Sequence, residues 1–288
     1  MAVQASEVPR AVAAATSIAE ALSLKVDEAI VLHASNRLAL RLVPSDVLAR
    51  VALPTHEAAT FEVDLATRLA ATDSPVARLD PRVAPRVYER DGFTITLWTY
   101  YEPQRARELS PVDYADALSR LHVGMQHVDV TTPHFSDRVR EAQLLVASRN
   151  RIPQLGDADR DLLVATFSRV MPAIAARGAA EQLLHGEPHP GNVLNTRNGP
   201  LFIDLETACR GPVEFDLAHV PKEVSECYAG IDQALLDDCR ILVLAMIAAW
   251  RSDPEDGFPG RKQATRGLLA ALRGGPPYPA LGAISGLQ

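Results

Sequence analysis

Two short stretches of the chain carry closely spaced side chains that could do chemistry. Residues 185–194 read HGEPHPGNVL, and residues 202–206 read FIDLE. Glu187, Asn192 and Asp204 supply two carboxylates and an amide within this part of the sequence. Oxygen donors of this kind suit Mg²⁺, which keeps several waters and is usually held by few protein ligands together with substrate phosphates. The pattern therefore predicts a magnesium and nucleotide site.

The residues between Asn192 and Asp204 indicate how the two could meet. Short apolar runs lie on either side of Arg197-Asn198-Gly199. An Asn-Gly pair between two such runs is typical of a β-hairpin with a tight turn. We expect the hairpin to bring the amide of Asn192 and the carboxylate of Asp204 to the same end.

His185 and His189 lie on either side of Glu187, and this arrangement raises the alternative of a zinc site. The sequence HxE is half of the signature of zinc deaminases, but the chain has no PCxxC to complete it. A glycine and two prolines within residues 186–190 would also break the helix that an HExxH site requires. We therefore keep both histidines as candidates in a catalytic loop. His185 would pack the loop, and His189 would either contact phosphate or order the loop.

The two stretches resemble the catalytic loop and the metal-binding segment of the aminoglycoside phosphotransferase and choline kinase family, written HGDxHxGN and IDxE. The resemblance is sharp over roughly residues 183–220, including GP at 211–212 and FDLA at 215–218, and it is collinear from about residue 29 onward. It implies a two-lobed, protein-kinase-like fold of the α+β class. A small N-terminal lobe would hold an antiparallel sheet and a helix, and a larger C-terminal lobe would be mainly helical.

The resemblance also implies roles for individual residues. Asn192 and Asp204 would hold Mg²⁺, and Glu206 would support the metal. Residue 187 would accept the proton of the acceptor hydroxyl. Asp216 is expected to be structural, either as a cap or through bonds to the backbone of the catalytic loop.

Glu187 stands where the family has aspartate, so its carboxylate is one methylene farther from the backbone. A carboxylate can still accept a hydrogen bond from a hydroxyl, because positioning matters more than basicity in a loose phosphoryl-transfer transition state. The departure therefore affects how far the carboxylate of Glu187 extends, and not its ability to accept the hydrogen bond. A misplacement of about 1 Å could cost on the order of 100-fold in rate.

The family also has a lysine on the third strand, paired to a glutamate on the next helix, to bind the nucleotide phosphates. The lysines of this chain are Lys25, Lys222 and Lys262, and none lies on that strand. Arg50 stands at the matching place and could bind phosphate through a bidentate fork. Glu62 is the expected helix partner, with Glu57 as the alternative.

The nucleotide site cannot use a glycine-rich phosphate loop, because the first glycine of the chain is Gly92. This excludes both GxGxxG and the Walker motif from the N-terminal lobe. The Ser35-Asn36 turn is the remaining candidate for covering the phosphates. Trp98, Tyr100 and Tyr101 would line the pocket for the nucleotide base, although aromatic packing in the core is an equally open interpretation.

The elements that must position these residues follow from periodicity. Helical patterns cover residues 7–24 and 57–71, and strand patterns cover 29–33, 37–43, 47–53, 85–89 and 93–99. Residues 1–100 are thus expected to form the nucleotide-binding lobe. Helices at 111–122, 137–149, 158–170 and 232–250 would build a lobe over residues 101–288, with the catalytic loop, the metal site and the acceptor pocket.

Composition limits the possible partners and location. The formal net charge of −7 argues against nucleic-acid binding, which needs a basic face. The longest apolar run, residues 241–250, is too short to span a membrane and is expected to be a buried helix. The first residues show no export signal, and the spacing of the three cysteines shows no disulfide framework. We therefore expect a cytoplasmic protein.

The sequence therefore predicts a small-molecule kinase that uses Mg²⁺ and transfers the γ-phosphoryl group of ATP or GTP to an acceptor hydroxyl. Residues 201–260 contain 12 acidic and 4 basic residues, which would suit a cationic acceptor such as an aminoglycoside, another aminosugar or an amino alcohol. A solvated helix face is the slightly favoured interpretation of this charge. The alternative function is a pseudokinase that binds nucleotide or acts as a scaffold, with Glu187 and Arg50 having silenced catalysis. The oligomeric state is not predicted.

Overall fold

The chain folds into two compact units. The computed structural model describes residues 3–34, 37–54, 56–104, 108–279, 281 and 284. The first unit comprises Met1–Glu108 with Leu194–Glu206, and the second comprises Leu109–Val193 with Thr207–Gln288. An antiparallel sheet dominates the first unit and helices dominate the second, so the predicted α+β class is confirmed.

The first unit contains a five-stranded sheet in the order β1-β2-β3-β5-β4, in which every neighbouring pair is antiparallel. Its elements confirm the predicted succession of three strands, a helix and two strands. After helix α1 (Val8–Ala21), they are β1 (Val26–Ala34), β2 (Leu38–Pro44), β3 (Val47–Ala52), α2 (His56–Ala70), β4 (Tyr88–Arg90) and β5 (Phe93–Thr99).

The core of this unit follows from the alternation along β2 and β3. In both strands every second residue is buried, including Leu40 and Ala49, because side chains of a strand point to opposite faces of the sheet. Helix α1 covers one face with a stripe of small side chains, among them Ala11 and Ala15. Alanines let the helix backbone approach the sheet closely.

A hairpin from the middle of the chain joins the first unit. Strands β7 (Val193–Thr196) and β8 (Gly199–Phe202) pair with each other, as the Asn-Gly turn predicted. The backbone of Phe202 exchanges hydrogen bonds with residues 75 and 77, and Gln104 N donates to Asn195 O at 2.8 Å. The structure thus groups the chain differently from a division at residue 100, because these backbone bonds tie Leu194–Glu206 to the N-terminal sequence.

The second unit is mainly helical. Its four predicted helices are present as α3 (Pro111–Met125), α4 (Phe135–Ala147), α5 (Asp157–Ala176) and α8 (Gln233–Arg251). Helices α3 and α5 are longer than predicted, and α4 and α8 are shifted by one or two residues. Helix α8 packs against α4, α5 and α9 (Arg261–Gly274), and most residues of its apolar run are buried. No helix in the described part of the chain is long and apolar enough to cross a membrane. No disulfide links the described cysteines.

Several short elements of the second unit were not predicted. Strand β6 (Gln182–Leu184) pairs with β9 (Cys209–Gly211), and helices α6 (Val213–Leu217) and α7 (Lys222–Cys227) follow. Such elements are too short to show a period. Helix α9 was not predicted either, and its last residue, Gly274, is the first of the Gly-Gly-Pro-Pro stretch at 274–277.

The sheet core generates a stability prediction. Leu40 is fully buried, so Leu40→Ala should lower the free energy of unfolding by about 2–5 kcal/mol in urea denaturation. Leu32 on β1 is 45% exposed, and Leu32→Ala is the matched control, with a change of no more than about 0.5 kcal/mol. Equal losses in the two variants would contradict this account of the core.

Candidate functional site

In the first unit, Arg50 on β3 pairs with Glu62 on α2. Arg50 Nη1 donates to Glu62 Oε1, and Arg50 Nη2 lies 2.7 Å from Asp204 Oδ1. Burial acts to lower the pKa of Arg50, but the carboxylates of Glu62 and Asp204 outweigh it and raise the pKa above its ordinary value. Arg50 is therefore a permanent cation held between the predicted helix partner and a predicted metal ligand.

Arg37, just before β2, joins the same ion pairs and was missed by the sequence analysis. Its Nη1 lies 2.6 Å from Glu62 Oε2, and its Nη2 pairs with Glu206 Oε2. A strand signal could have found it: Ala39 pairs with Arg50 in the sheet, and residue 37 shares the face of residue 39. The family pattern places the phosphate-binding cation on the third strand, whereas Arg37 precedes the second.

Five side chains thus form one group, here called the charge cluster: Arg37, Arg50, Glu62, Asp204 and Glu206. Glu62 is the innermost, with a side chain 1% exposed, whereas the side chains of Asp204 and Glu206 are about 30% exposed. Three carboxylates against two guanidiniums give a formal charge of −1. The net charge of the cluster is therefore negative, and its more exposed carboxylates are those of Asp204 and Glu206.

Asp204 has a left-handed backbone with φ of 66°. Such a conformation costs a residue with a side chain about 1–3 kcal/mol and is found preferentially at functional sites. The residue lies between β8 and a short 3-10 helix, Leu205–Thr207. The sharp turn at residue 204 allows both the Asp204 and the Glu206 side chains to contact Arg37.

The aromatic candidates behave differently from one another. Trp98 is 4% exposed and donates its indole N–H to Thr96 Oγ1, so it is a core residue of the sheet. This burial agrees with the core packing that the sequence left open, but the ring also lies 6.0 Å from the guanidinium of Arg50, so the assignment of Trp98 to the nucleotide-base pocket stays a prediction. Tyr100 is half-buried beneath the guanidinium of Arg41, and it stays a candidate. Ser35 and Asn36 and the side chain of Glu57 lie outside the described residues.

In the second unit, Arg138 on α4 holds the side chain of Glu187. Arg138 Nη2 donates to Glu187 Oε1, and Nη1 donates to Gly186 O at 3.2 Å. The ring of Trp250 packs against the guanidinium, 5.2 Å from it. Burial acts to raise the pKa of Glu187, but Arg138 outweighs it, and the pKa lies below its ordinary value. Sequence reasoning missed Arg138, because nothing in a helical pattern marks which surface arginine meets a loop.

The backbone of the catalytic loop is bound to Asp216 on α6. His185 N and Gly186 N donate to the two oxygens of Asp216 at 2.9 and 2.8 Å, and His122 Nε2 lies 2.9 Å from it. The predicted structural role of Asp216 is thereby confirmed. His185 itself is fully buried, in agreement with packing of the loop.

The turn of the loop also depends on Gly186, which has φ of 89°. A Cβ atom there would fall 2.0 Å from Thr207 O, so no other residue fits. His189 Nδ1 accepts a hydrogen bond from Gly191 N at 3.0 Å and so caps the 3-10 helix Pro190–Asn192. This contact favours the loop-ordering interpretation of His189.

The donor set suits the predicted magnesium ion. Asn192 Nδ2 donates to Glu187 O at 2.9 Å, and this bond leaves the amide oxygen for another partner. Asp204 and Glu206 are carboxylates that share one arginine, so they lie close together. Oxygen donors of this type fit Mg²⁺. Among the described residues, no group of three or more His, Cys, Asp or Glu side chains could hold a metal ion, so the proposed magnesium set depends on the amide of Asn192 as well as on carboxylates.

A family model described as a phosphotransferase enzyme family matches residues 29–240, which is more than half of the chain. The chain belongs to the phosphotransferase enzyme family. The family model spans both of the stretches that carried the resemblance. A search of curated proteins found no match.

Solved structures of kinases have the same fold as this phosphotransferase. An amicoumacin kinase in complex with AMP-PNP, Ca²⁺ and Ami has a TM-score of 0.71 at 12% identity, covering 96% of this chain and 98% of that one. A choline/ethanolamine kinase family protein from Mesorhizobium loti has a TM-score of 0.63 at 18% identity, covering 97% and 98%. A GDP complex of wild-type aminoglycoside 2'-phosphotransferase-IIIa has a TM-score of 0.62 at 15% identity, covering 88% and 91%. The predicted kinase-like fold is confirmed.

The acidic segment of the phosphotransferase is largely neutralised by its own arginines. Asp238 faces Arg177, and Asp253 faces Arg151. Other carboxylates of this segment bind the backbone of the protein: Asp216 accepts hydrogen bonds from the catalytic loop, and Asp232 caps α8. The excess of carboxylates in residues 201–260 therefore gives little support for a cationic acceptor.

The buried carboxylate of Asp216 generates a prediction on pH and stability. Its burial acts to raise the pKa, but the hydrogen bond from His122 and the loop amides outweigh it, and the pKa lies below its ordinary value. A depressed carboxyl pKa adds stability above the unfolded pKa of about 3.9, and that stability is lost as the pH falls through the lower folded pKa. Asp216→Asn should cost about 1.5–3 kcal/mol near neutral pH.

This cost should shrink in urea denaturation as the pH falls below about 4, because the unfolded wild-type chain then binds a proton that the folded carboxylate does not. The folded protein itself loses the charge only at its lower pKa. The matched control is Asp161→Asn, because Asp161 is an exposed residue of helix α5. This variant should cost little at any of these pH values. A cost for Asp216→Asn that stays constant down to the lowest measurable pH would show that the charge of Asp216 is unimportant.

Proposed function

We propose that this protein is a magnesium-dependent kinase that transfers the γ-phosphoryl group of ATP or GTP to a hydroxyl group of a small molecule. The observation that carries the proposal is the charge cluster. It joins Arg50, the candidate phosphate ligand, to Asp204, a candidate metal ligand, through direct contact at 2.7 Å. A family of phosphotransferases and neighbours that are kinases support the same reaction class.

In the proposed mechanism, Arg50 binds the phosphates of the nucleotide. The buried carboxylate of Glu62 keeps its guanidinium in place, so little conformational entropy is lost when phosphate binds. Asn192, Asp204 and Glu206 are the proposed ligands of Mg²⁺, which neutralises phosphate charge when bound. Tyr100 is the proposed contact to the base. The N-terminal residues 1–100 would thus serve as the nucleotide-binding part of the chain.

Glu187 is the proposed base. Arg138 occupies its Oε1 atom, so its Oε2 atom is the one proposed to accept the hydrogen bond of the acceptor hydroxyl. As the acceptor oxygen forms its bond to the γ-phosphorus, the bond to the leaving nucleoside diphosphate breaks, and the hydroxyl proton moves to Glu187. His185 and His189 are proposed to act indirectly, by ordering the loop that carries this carboxylate.

The proposed acceptor is a small alcohol, and cationic sugars and amino alcohols are the first classes to screen. Two of the kinase neighbours are an aminoglycoside phosphotransferase and a choline/ethanolamine kinase family protein. No nucleic acid or membrane partner is proposed, and a cytoplasmic location is part of the proposal. A pseudokinase remains the competing function, and measurements of nucleotide binding and of turnover distinguish it from a kinase.

Nucleotide binding can be measured by calorimetry with ATP and GTP, each with and without Mg²⁺. Asp204→Asn should lower the magnesium-dependent affinity by about tenfold or more, since it removes a charged metal ligand. The matched control is Asp91→Asn, because Asp91 also has a left-handed backbone, with φ of 51°, but lies in the β4–β5 turn. Failure of the wild type to bind either nucleotide would refute both the kinase and the nucleotide-binding pseudokinase.

Turnover can be followed as release of nucleoside diphosphate with a panel of aminosugars and amino alcohols. Glu187→Gln should lower kcat by about 10²–10⁴-fold and leave nucleotide affinity unchanged, because the amide cannot accept the proton. Glu181→Gln, an exposed glutamate paired with His134, is the control and should keep full activity. Full activity in Glu187→Gln would contradict the assignment of the base, and nucleotide binding without turnover on any acceptor would favour the pseudokinase.

A further inference from the structure

One guanidinium contacts three carboxylates of the charge cluster. Arg37 Nη1 lies 2.6 Å from Glu62 Oε2 and 3.8 Å from Asp204 Oδ1, and Nη2 pairs with Glu206 Oε2. The side chain of Arg37 is 16% exposed. In the proposed mechanism Arg37 has no role, although Arg37 contacts both of the carboxylates proposed to bind the metal.

Glu62 explains why Arg37 stays in place. Its two oxygens are divided between two arginines, with Arg50 on Oε1 and Arg37 on Oε2. Because Glu62 is almost completely buried, an uncompensated charge there is costly, and both arginines are held firmly. One side of the Arg37 guanidinium is thus anchored inside, and the other contacts the more exposed Glu206.

Arg37 and a divalent cation would use the same oxygens. Without Arg37 the charge cluster would carry a formal charge of −2, which a divalent cation matches. With Arg37 in contact, a metal ion at Asp204 and Glu206 meets a positive charge a few ångströms away, and this repulsion opposes its binding. The ion can bind well only if Nη2 leaves Glu206 and finds another anion.

We propose that Arg37 is an internal counter-cation that competes with the divalent metal for Asp204 and Glu206 and thereby couples metal binding to nucleotide binding. The inference rests on the proposed function. When the metal binds, Arg37 keeps its bond to Glu62 and releases Glu206. The nucleotide phosphates then supply a new partner for the released N–H groups. Metal alone therefore binds weakly, and metal and nucleotide bind together, each strengthening the other by the same factor.

The test measures Mn²⁺ binding by electron paramagnetic resonance, first to the protein alone and then in the presence of AMP-PNP. Arg37→Gln removes the charge and should tighten binding of Mn²⁺ alone by about tenfold or more. The factor by which AMP-PNP strengthens Mn²⁺ binding should fall by a similar amount, since the released arginine no longer contributes to phosphate binding. Arg37→Met serves as a second neutral variant if Arg37→Gln does not fold.

The matched control is Arg68→Gln on α2, the helix that carries Glu62. Arg68 pairs with Asp64 at 2.9 Å and is half-exposed, so the variant makes the same change in net charge outside the charge cluster. It should bind Mn²⁺ as the wild type does. Thermal unfolding of each variant verifies that the binding assays are made on folded protein.

Two results would overturn the inference. Binding of Mn²⁺ alone that is unchanged or weaker in folded Arg37→Gln would show that Arg37 only stabilises the fold. An equal gain in Arg68→Gln would show that net charge, and not competition at the cluster, controls metal affinity. A failure of the proposed function is observed separately, because the wild type would then bind no AMP-PNP, ATP or GTP. The Mn²⁺ titrations without nucleotide would in that case still decide whether Arg37 competes with the metal.

Discussion

The arrangement of the first unit depends on one buried carboxylate, that of Glu62. A carboxylate with almost no contact with water must be paired, because an isolated buried charge is far more costly than any single packing contact. Glu62 meets this requirement with Arg50 on β3 and with Arg37 just before β2. Those arginines in turn contact Asp204 and Glu206, so the burial of one glutamate organises both the candidate phosphate ligand and the candidate metal ligands.

A second buried carboxylate organises the second unit in another way. Asp216 accepts hydrogen bonds from two successive backbone N–H groups and from a histidine. These bonds hold the backbone of the loop at Gly186, where the backbone of Thr207 leaves no room for a side chain. Glu187 follows directly, so the position of the proposed base is determined by backbone bonds on one side and by Arg138 on the other.

The two departures from the family pattern acquire a physical explanation in these contacts. A lysine is a single point charge, whereas the fork of Arg50 contacts Glu62 with one nitrogen and Asp204 with another. The longer side chain of Glu187 is bound by Arg138 on α4, which helps to hold the pKa of the carboxyl below its ordinary value. Both replacements thus come with partners suited to the longer side chains, and this agreement favours an enzyme over a silenced relative.

The sequence by itself determined the class of the fold, the family and the succession of elements in the first hundred residues. Periodicity located the strands of the five-stranded sheet and every long helix except α9, and the Asn-Gly turn located the hairpin, because these signals are local. The catalytic and metal-binding stretches could be found for the same reason. Elements of three to six residues, such as β9 and α6, were missed because they are shorter than the periods that reveal longer ones.

Only the tertiary structure decided which charged residues meet. Arg50 and Asp204 are 154 residues apart, Arg138 and Glu187 are 49 apart, and Arg37 and Glu62 are 25 apart. A helix or strand pattern states which face a side chain occupies but carries no information about the partner that another element brings to it. The burial of Trp98 could not be predicted for a related reason, since a buried and an accessible aromatic residue give the same pattern in a strand. The chemistry of this protein can thus be read from local motifs, but the ion pairs that control its charge depend on packing between distant elements.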